Sequence, residues 1–412
     1  MSQNSITEQD ALRNLEEFRQ LGKEVLKERE SIKEILISSG LTESGAELDL
    51  LLLKKQMDSM GAEVHRVVGR KIKNGTFAAQ IAYDVPNFLT ALYCGPAIVI
   101  GMPVLIRYPS SQLDLGKIWN EKISELGIDS IKIDLDKSGT DFGDYCLKHP
   151  DIRHFLIAGG QRIVDFYDRK EVMEQLDTLI LFGPDLPKAI FMKSIDKNKL
   201  HDVVKTTVNT AFFNSGQICA LEKELLVDNE IYDDVKKMLI TEVSSLSYGL
   251  HTDHVGPIRN EPTFERLKEI IEHIKNNPQT YRILYGGDIR GNVVTPTLVE
   301  IIGNMDNELD FFGPLLFLKR VHGKEHAIEE VKKDIFHGGH VFVHGASQDV
   351  FEIEGLLKER VGNVKLNANI MNESIDWPYG AFGKYSFILK TREGAEIQTR
   401  KGKVYLSHVL SY

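Results

Sequence analysis

The chain predicts an α/β protein of two domains, and three observations carry the prediction. From residue 77 onward, apolar strand-like runs alternate with helical ones, the βαβ pattern of a parallel sheet. Ahead of them, residues 8–68 keep a helical period, with Leu12, Leu15, Phe18, Leu21 and Val25, then Leu50, Leu53, Met57, Met60 and Val64, three or four apart. At 412 residues the chain is long enough to bury two cores, and its 42% apolar and 27% charged residues are those of an ordinary globular protein.

Taken in order, residues 77–83 and 97–106 read as strands around a short apolar helix. A helix over 113–126, a strand over 128–133 and a helix near Tyr145 follow. Residues 155–157 form a strand that ends in Ala158-Gly159-Gly160, and 179–182 a strand that ends in Gly183-Pro184. A helix from about Lys199 leads into the segment 212–219. Beyond it come a strand at Leu225, helices over 232–246 and 264–274, and strands near Ile283, Val293 and 315–318. Residues 402–410 alternate like a strand, which needs an acceptor edge, a partner subunit's being one candidate. The expected division is 1–200, 201–385 and a terminal element, 386–412.

A formal net charge of −10 argues against a nucleic-acid partner. Three scattered cysteines, Cys94, Cys146 and Cys219, are too few for a disulfide framework or a zinc site, and fit a reduced, cytoplasmic protein. No apolar run reaches the roughly 20 residues that span a bilayer, and residues 1–5 lack the start of an export signal. His251-Thr252-Asp253-His254 has metal-like spacing but no accompanying cysteine or glutamate, and reads as a surface loop.

The most informative segment is Phe212-Phe213-Asn214-Ser215-Gly216-Gln217-Ile218-Cys219. A cysteine just after a Gly-Gln turn is placed to expose its sulfur beside a free backbone N–H, as a nucleophile attacking a carbonyl requires. A lone cysteine otherwise packs as a small hydrophobe. Open parallel sheets bind nucleotides beyond the carboxyl ends of their strands, which makes Gly159-Gly160 a candidate phosphate turn; a tight turn without a ligand is the other reading.

Together with Leu225-Leu226-Val227 and Ile231-Tyr232, the octet resembles the catalytic-cysteine segment of the aldehyde dehydrogenase superfamily. Val85-Pro86-Asn87-Phe88, the strand over 101–109, Gly256-Pro257-Ile258, Thr295-Pro296-Thr297-Leu298, Asp310-Phe311-Phe312-Gly313-Pro314, and the segments 361–367 and 378–383 are similar to its other landmarks, in the same order. The resemblance implies a Rossmann-type NAD(P)-binding domain, an α/β catalytic domain and a small oligomerisation element, hence a homodimer or homotetramer. It implies Cys219 as nucleophile and Asn87 as oxyanion donor. Val85, Pro86, Arg107, Ser110, Gly159, Gly160, Asp310 and Phe312 are implied contacts of NADP or NAD, with Asp310 replacing the usual glutamate. Phe212 and Trp377 are either tunnel-lining or core.

The departures shape the expected activity. Leu181 stands where the family carries the glutamate that activates hydrolytic water, and Ser110 replaces the ribose-binding glutamate after Arg107, which leaves a 2′-phosphate unrepelled. Without that base, exchange of the acyl-enzyme with another thiol is favoured over water. The resemblance therefore points to an NAD(P)H-dependent reductase of an acyl-CoA or an acyl-carrier thioester. The alternatives are a hydrolytic aldehyde dehydrogenase using another base, such as Asp185, and a non-catalytic protein on the same fold.

Overall fold

The computed structural model describes residues 5–250, 254–304, 309–333, 338–370, 380–382, 385–394 and 396–412. Four helices open it: α1 (Glu8–Lys27), α2 (Arg29–Ser38), α3 (Glu43–Ser59) and α4 (Gly61–Val67). Thr7 and Thr42 cap α1 and α3 by accepting the N–H of Asp10 and Gly45. The apolar positions of the helical period are the buried ones, except that Leu12 faces outward at 49% exposure.

The first sheet is built from β1 (Thr76–Gln80), α5 (Pro86–Val99), β2 (Val104–Arg107), α6 (Leu113–Leu126), β3 (Ile131–Ile133), α7 (Gly139–Lys148), β4 (Ile152–Ala158), α8 (Gln161–Tyr167) and β5 (Thr178–Phe182). The second comprises β6 (Lys188–Phe191), α9 (Lys197–Ala211), β7 (Glu224–Asp228), α10 (Tyr232–Ser244), α11 (Glu261–Asn276), β8 (Tyr281–Tyr285), a ribbon of β9 (Ile289–Arg290) and β10 (Val293–Val294), β11 (Thr297–Ile301), β12 (Leu315–Val321), α12 (Gly323–Lys333), β13 (His340–His344), α13 (Ser347–Leu357) and β14 (Asn363–Leu366). The chain then returns to the first sheet through β15 (Phe387–Glu393) and β16 (Glu396–Arg400), and ends in α14 (Leu406–Val409).

The strand orders are β16-β15-β5-β4-β1-β2-β3 and β14-β13-β6-β7-β12-β11-β8. Within the first sheet β1 to β5 are parallel, with β15 and β16 antiparallel on the β5 side. The carboxyl ends of β1, β2 and β4 therefore share one rim, from which the segments carrying Val85, Pro86, Ser110, Gly159 and Gly160 leave, while Asp310 and Phe312 precede β12. In the second sheet Lys188 and Glu224 are paired neighbours on β6 and β7 and form a buried ion pair.

Three expectations are corrected. Residues 97–99 belong to α5, not to a strand: the apolar run is buried on all sides, where helix and strand look alike in sequence. The helix stops where Gly101 takes φ +80°, and the strand is only Val104–Arg107. The seam between the sheets lies between Phe182 and Lys188, earlier than residue 200, because β6 pairs with β7 and β13. Residues 402–410 do not form a strand: the sheet ends at β16 on that side, and residues 406–409 are helical. The tail instead docks on α4 as the short α14: Ser407 donates to Glu63, and the Arg66 guanidinium lies 4.1 Å from the centre of the Tyr405 ring.

Phe387 on β15 is 1% exposed, and its ring lies 5.2 Å from that of Phe182, which stacks at 5.2 Å on Tyr93 of α5. Phe387→Ala is expected to destabilise the fold by about 3–5 kcal/mol, read from the midpoint of chemical denaturation.

Candidate active site

Helix α9 ends at Ala211, and Phe212 is fully buried in the core beneath the second sheet, which settles it as a packing residue. A 3₁₀ turn over Phe213–Gly216 follows, in which Asn214, Ser215 and Gly216 all take left-handed φ, +49°, +59° and +65°. For non-glycine residues this costs on the order of 1–3 kcal/mol each, so the surroundings must impose it. They do so from several directions. Asn214 Oδ1 accepts the Thr42 N–H (2.9 Å), the Ser215 N–H donates to His254 O (2.9 Å), and Ser215 Oγ accepts the Gly256 N–H (2.9 Å). Lys223 Nζ donates to Gly216 O. Gly216 has no room for a side chain, since a Cβ would sit 2.2 Å from Gly313 O.

This turn delivers Cys219, the exposed member of three cysteines whose other two are buried. Tyr83, at the end of the segment leaving β1, shares hydrogen bonds of 3.3 Å with Gln217 and Thr263, and its ring packs edge-on to Phe312 at 6.0 Å. The next residue, Asp84, is 4% exposed and is the largest charged influence on the thiol; Asp185 adds to it and Lys223 opposes both. Crowding by protein atoms, then these carboxylates, push Cys219 up to about 12. Water reaches the thiol, which relieves part of that penalty. Tyr93 stacks on Phe182, and burial, with Cys219 contributing, raises its phenol.

Asn87, the expected oxyanion donor, has its amide bonded within the core. It is fully buried; its Nδ2 donates to Asp49 Oδ2 (2.7 Å) and its Oδ1 accepts from Trp119 Nε1 (2.9 Å). Both ends of the amide serve the packing of α3, α5 and α6. Val85 caps α5, which Pro86 opens, directly beside the site.

The expected cofactor residues divide into two groups. Gly159 and Gly160 leave β4 at the rim, and a Cβ on Gly160 would meet Asp310 Oδ2 at 3.6 Å, so bare backbone faces a carboxylate. Burial raises Asp310 to about 6, against the pull of Arg266 and the Gln161 N–H. Phe312 packs on Tyr83, and Lys223 Nζ lies 5.7 Å from its ring centre. Arg107 and Ser110 meet each other instead: the guanidinium donates to Ser110 Oγ (2.9 Å), Lys137 O (3.0 Å) and Tyr108 O, at 2% exposure. Three of the five guanidinium N–H groups are thereby used within the protein. Trp377, Pro378, Tyr379 and Gly383 lie outside the described residues, as do His251, Thr252 and Asp253. Among the described residues no cluster of metal-ligating side chains occurs.

Leu181 lies inside β5 at 1% exposure. Asp185 accepts from the N–H groups of Gly339 (3.0 Å) and His340 (3.2 Å) and from Ser386 Oγ (3.1 Å), a clamp between segments. Sequence reading missed Asp84, Tyr93, Glu222 and Lys223. Glu222 and Lys223 carried a signal, two charges just ahead of an apolar strand; both are fully buried. Among the described residues neither carboxylate oxygen of Glu222 has a hydrogen-bond partner, and burial raises it to about 8, while burial lowers Lys223 to about 8. Such a group of displaced titrations marks a functional cleft.

Glu222 is easier to bury protonated, so the stability it contributes is full below its unfolded value of 4.5 and is lost as pH rises through about 8. Wild-type protein is expected to melt at lower temperature at pH 9 than at pH 6, and Glu222→Gln to shrink that difference, by circular dichroism. Gly216→Ala should displace the turn and cut turnover by about 100-fold or more, checked by steady-state kinetics beside a melting curve.

The sequence profile described as "Aldehyde dehydrogenase family" matches residues 8–394. A lactaldehyde dehydrogenase of Methanococcus maripaludis is 25% identical over 281 residues, which are 66% of this chain and 58% of that one. The chain thus spans little more than half the length of that curated relative. Among solved structures, an aldehyde dehydrogenase of Mycobacterium tuberculosis complexed with NAD+ superposes with TM-score 0.78 at 19% identity, over 94% of this chain and 84% of that one. An NADP-dependent glyceraldehyde-3-phosphate dehydrogenase of Bacillus halodurans, complexed with NADP, superposes with TM-score 0.77 at 19% identity, over 95% and 87%. The turn that presents Cys219 and the rim that faces it thus stand on a recognised framework: the chain belongs to the aldehyde dehydrogenase family.

Proposed function

We propose that this chain reduces an activated acyl group to an aldehyde through a thioester on Cys219, or runs the reverse reaction, with NADP or NAD as cofactor. The observation that supports this reading is Leu181, an apolar side chain inside β5 that the sequence resemblance matches to the family's water-activating glutamate. Asp185, the other candidate base, is committed to three donors. An acyl-enzyme so placed is better suited to thiol exchange than to water.

The residues at the rim fit a dinucleotide. Gly159 and Gly160 offer bare backbone, Asp310 a carboxylate suited to ribose hydroxyls, and Phe312 an apolar face. When bound, the cofactor supplies or accepts hydride at the acyl carbon. Cys219 attacks from the strained turn, and Lys223 is the cation that favours its thiolate. Tyr93 and Phe182 would line the acyl chain. The acyl donor in this reading is a coenzyme A or acyl-carrier thioester, and the outer edge of β16 is the surface for assembly into a homodimer or homotetramer.

One observation favours a second reading, oxidation of an aldehyde to the free acid: Asp84 is a buried carboxyl acting on the thiol and would serve water as base. NADPH and NADH oxidation with a panel of acyl-CoAs, the aldehyde being trapped, separates the two. Wild type is expected to oxidise NAD(P)H with at least one thioester, and Cys219→Ser to lose that activity by 10³-fold or more, on the order expected for a nucleophile. Acid formation from aldehydes without added thiol, together with silence toward all thioesters, would establish the second reading.

A further inference from the structure

At the end of the first sheet away from the Gly159-Gly160 rim lies a cavity of about 630 Å³, within the size range of small-molecule sites. Three segments distant in sequence wall it: the approach to β1, the β15–β16 hairpin and the carboxyl-terminal tail. Its place follows from register. β15 runs antiparallel to β5 and pairs Thr391 with Thr178, the first residue of β5, so Arg392, Glu393 and Gly394 stand at the amino ends of the parallel strands. Lys73, three residues ahead of β1, reaches the same end, and its N–H donates to Leu410 O (3.0 Å), which brings the tail there too.

The walls are one-sided in charge. Arg70, Lys73, Arg392, Arg400, Lys403 and His408 line the cavity against the single carboxylate of Glu393, in a chain whose net charge is −10. Glu393 is already paired with Arg400 (2.7 Å), and Asp177, which also acts on Lys73, is held by two bonds from Arg153 (2.9 and 2.6 Å). Four cations are left over. Arg70 donates to Ser411 Oγ (2.7 Å) and, at 3.4 Å, to His408 O and Ser411 O; the Arg392 guanidinium spends only its Nε–H, on Leu176 O (3.3 Å). Among the described residues neither Lys73 nor Lys403 has an ion-pair partner. Burial lowers Lys73 from its ordinary value; Arg400 and Arg70 add to that, and Asp177 and Glu393 oppose it. Like charges gathered in a cleft repel one another and focus their field into it, and an anion entering the cleft relieves both the repulsion and the missing partners.

We propose that this cavity is a binding site for a soluble polyphosphate anion, held by the guanidinium groups of Arg70 and Arg392 and the ammonium groups of Lys73 and Lys403, separate from the cofactor rim. Four unpaired cations call for several negative charges on one ligand, which a phosphate chain supplies and a monocarboxylate does not. Guanidinium forks match phosphate oxygens in pairs, and lysines add point charge. Tyr405 and Tyr412 add ring surface to the lining, on which a nucleotide base could rest. An anion bound there joins the tail to the hairpin and to the approach to β1, so its binding is read as added stability.

The test is thermal melting and titration calorimetry of the full chain with inorganic tripolyphosphate and, separately, with ATP, at an ionic strength held constant with sodium chloride. Wild type is compared with the double variant Lys73→Gln, Lys403→Gln. Tripolyphosphate is expected to raise the wild-type melting temperature by about 2 °C or more, and the double variant to bind it at least about tenfold more weakly. ATP binding tighter than tripolyphosphate, and lost in the same variant, would identify the ligand as a nucleotide; equal binding would identify the phosphate chain alone as what is recognised. Absence of binding to wild type would overturn the proposal, as would equal affinity of wild type and double variant, since the anion would then sit elsewhere, the Gly159-Gly160 turn included. If the double variant does not fold, Lys403→Glu at its exposed position decides: wild-type affinity in that variant also overturns the proposal. Neither acyl donor nor cofactor enters the experiment, so its result is independent of the reaction proposed above.

Discussion

The interaction on which the site depends is the seizure of three consecutive left-handed residues, Asn214, Ser215 and Gly216, by segments distant in sequence. Thr42 comes from the cap of α3, Gly256 and His254 from the loop before α11, Lys223 from the entry to β7, and Gly313 from the approach to β12. None of these bonds is strong alone, at about 1 kcal/mol net for a neutral hydrogen bond. Together they hold a conformation the isolated segment would not keep. Segments around the second sheet and the cap of α3 converge on these residues.

Charge is the second constraint. Burial acts on Asp84, Cys219, Glu222, Lys223 and Asp310 in the same sense, toward the neutral form of each. Oppositely charged neighbours usually settle such groups as ion pairs. Here Lys223 spends its donor on the Gly216 carbonyl and lies near two aromatic faces, Phe311 at 5.5 Å and Phe312 at 5.7 Å. Burial thus brings Asp84 and Asp310 up to about 6, Glu222 up to about 8 and Lys223 down to about 8.

Much of this was legible in the sequence. Alternation of apolar runs located the parallel strands, and the helix over 113–126 coincides with α6 because its period and its terminal Gly127, at φ +66°, are local signals. Cys219, Gly160, Asp310 and Phe312 were named from motif order, and the fold brings Gly160 to Asp310 and Phe312 to Tyr83. What a sequence does not display is direction and company. Asn87 has the right type, but one helical position decides whether an amide faces a cleft or, as here, Asp49 and Trp119. Arg107 is a plausible phosphate ligand until Lys137 and Ser110 close around it. Asp84 stood next to the quoted motif, but its relation to the thiol arises only when the β1–α5 segment and the α9–β7 turn meet in space.

The bond between the Thr42 N–H and the Asn214 side chain joins residues 172 positions apart. A contact of that span closes late, since the entropy of bringing such distant segments together must be met before the bond forms. The cysteine's setting is thus one of the last things the chain acquires. In a partly folded chain the thiol would be present yet untuned, so its reactivity toward a small electrophile doubles as a reporter of completed folding.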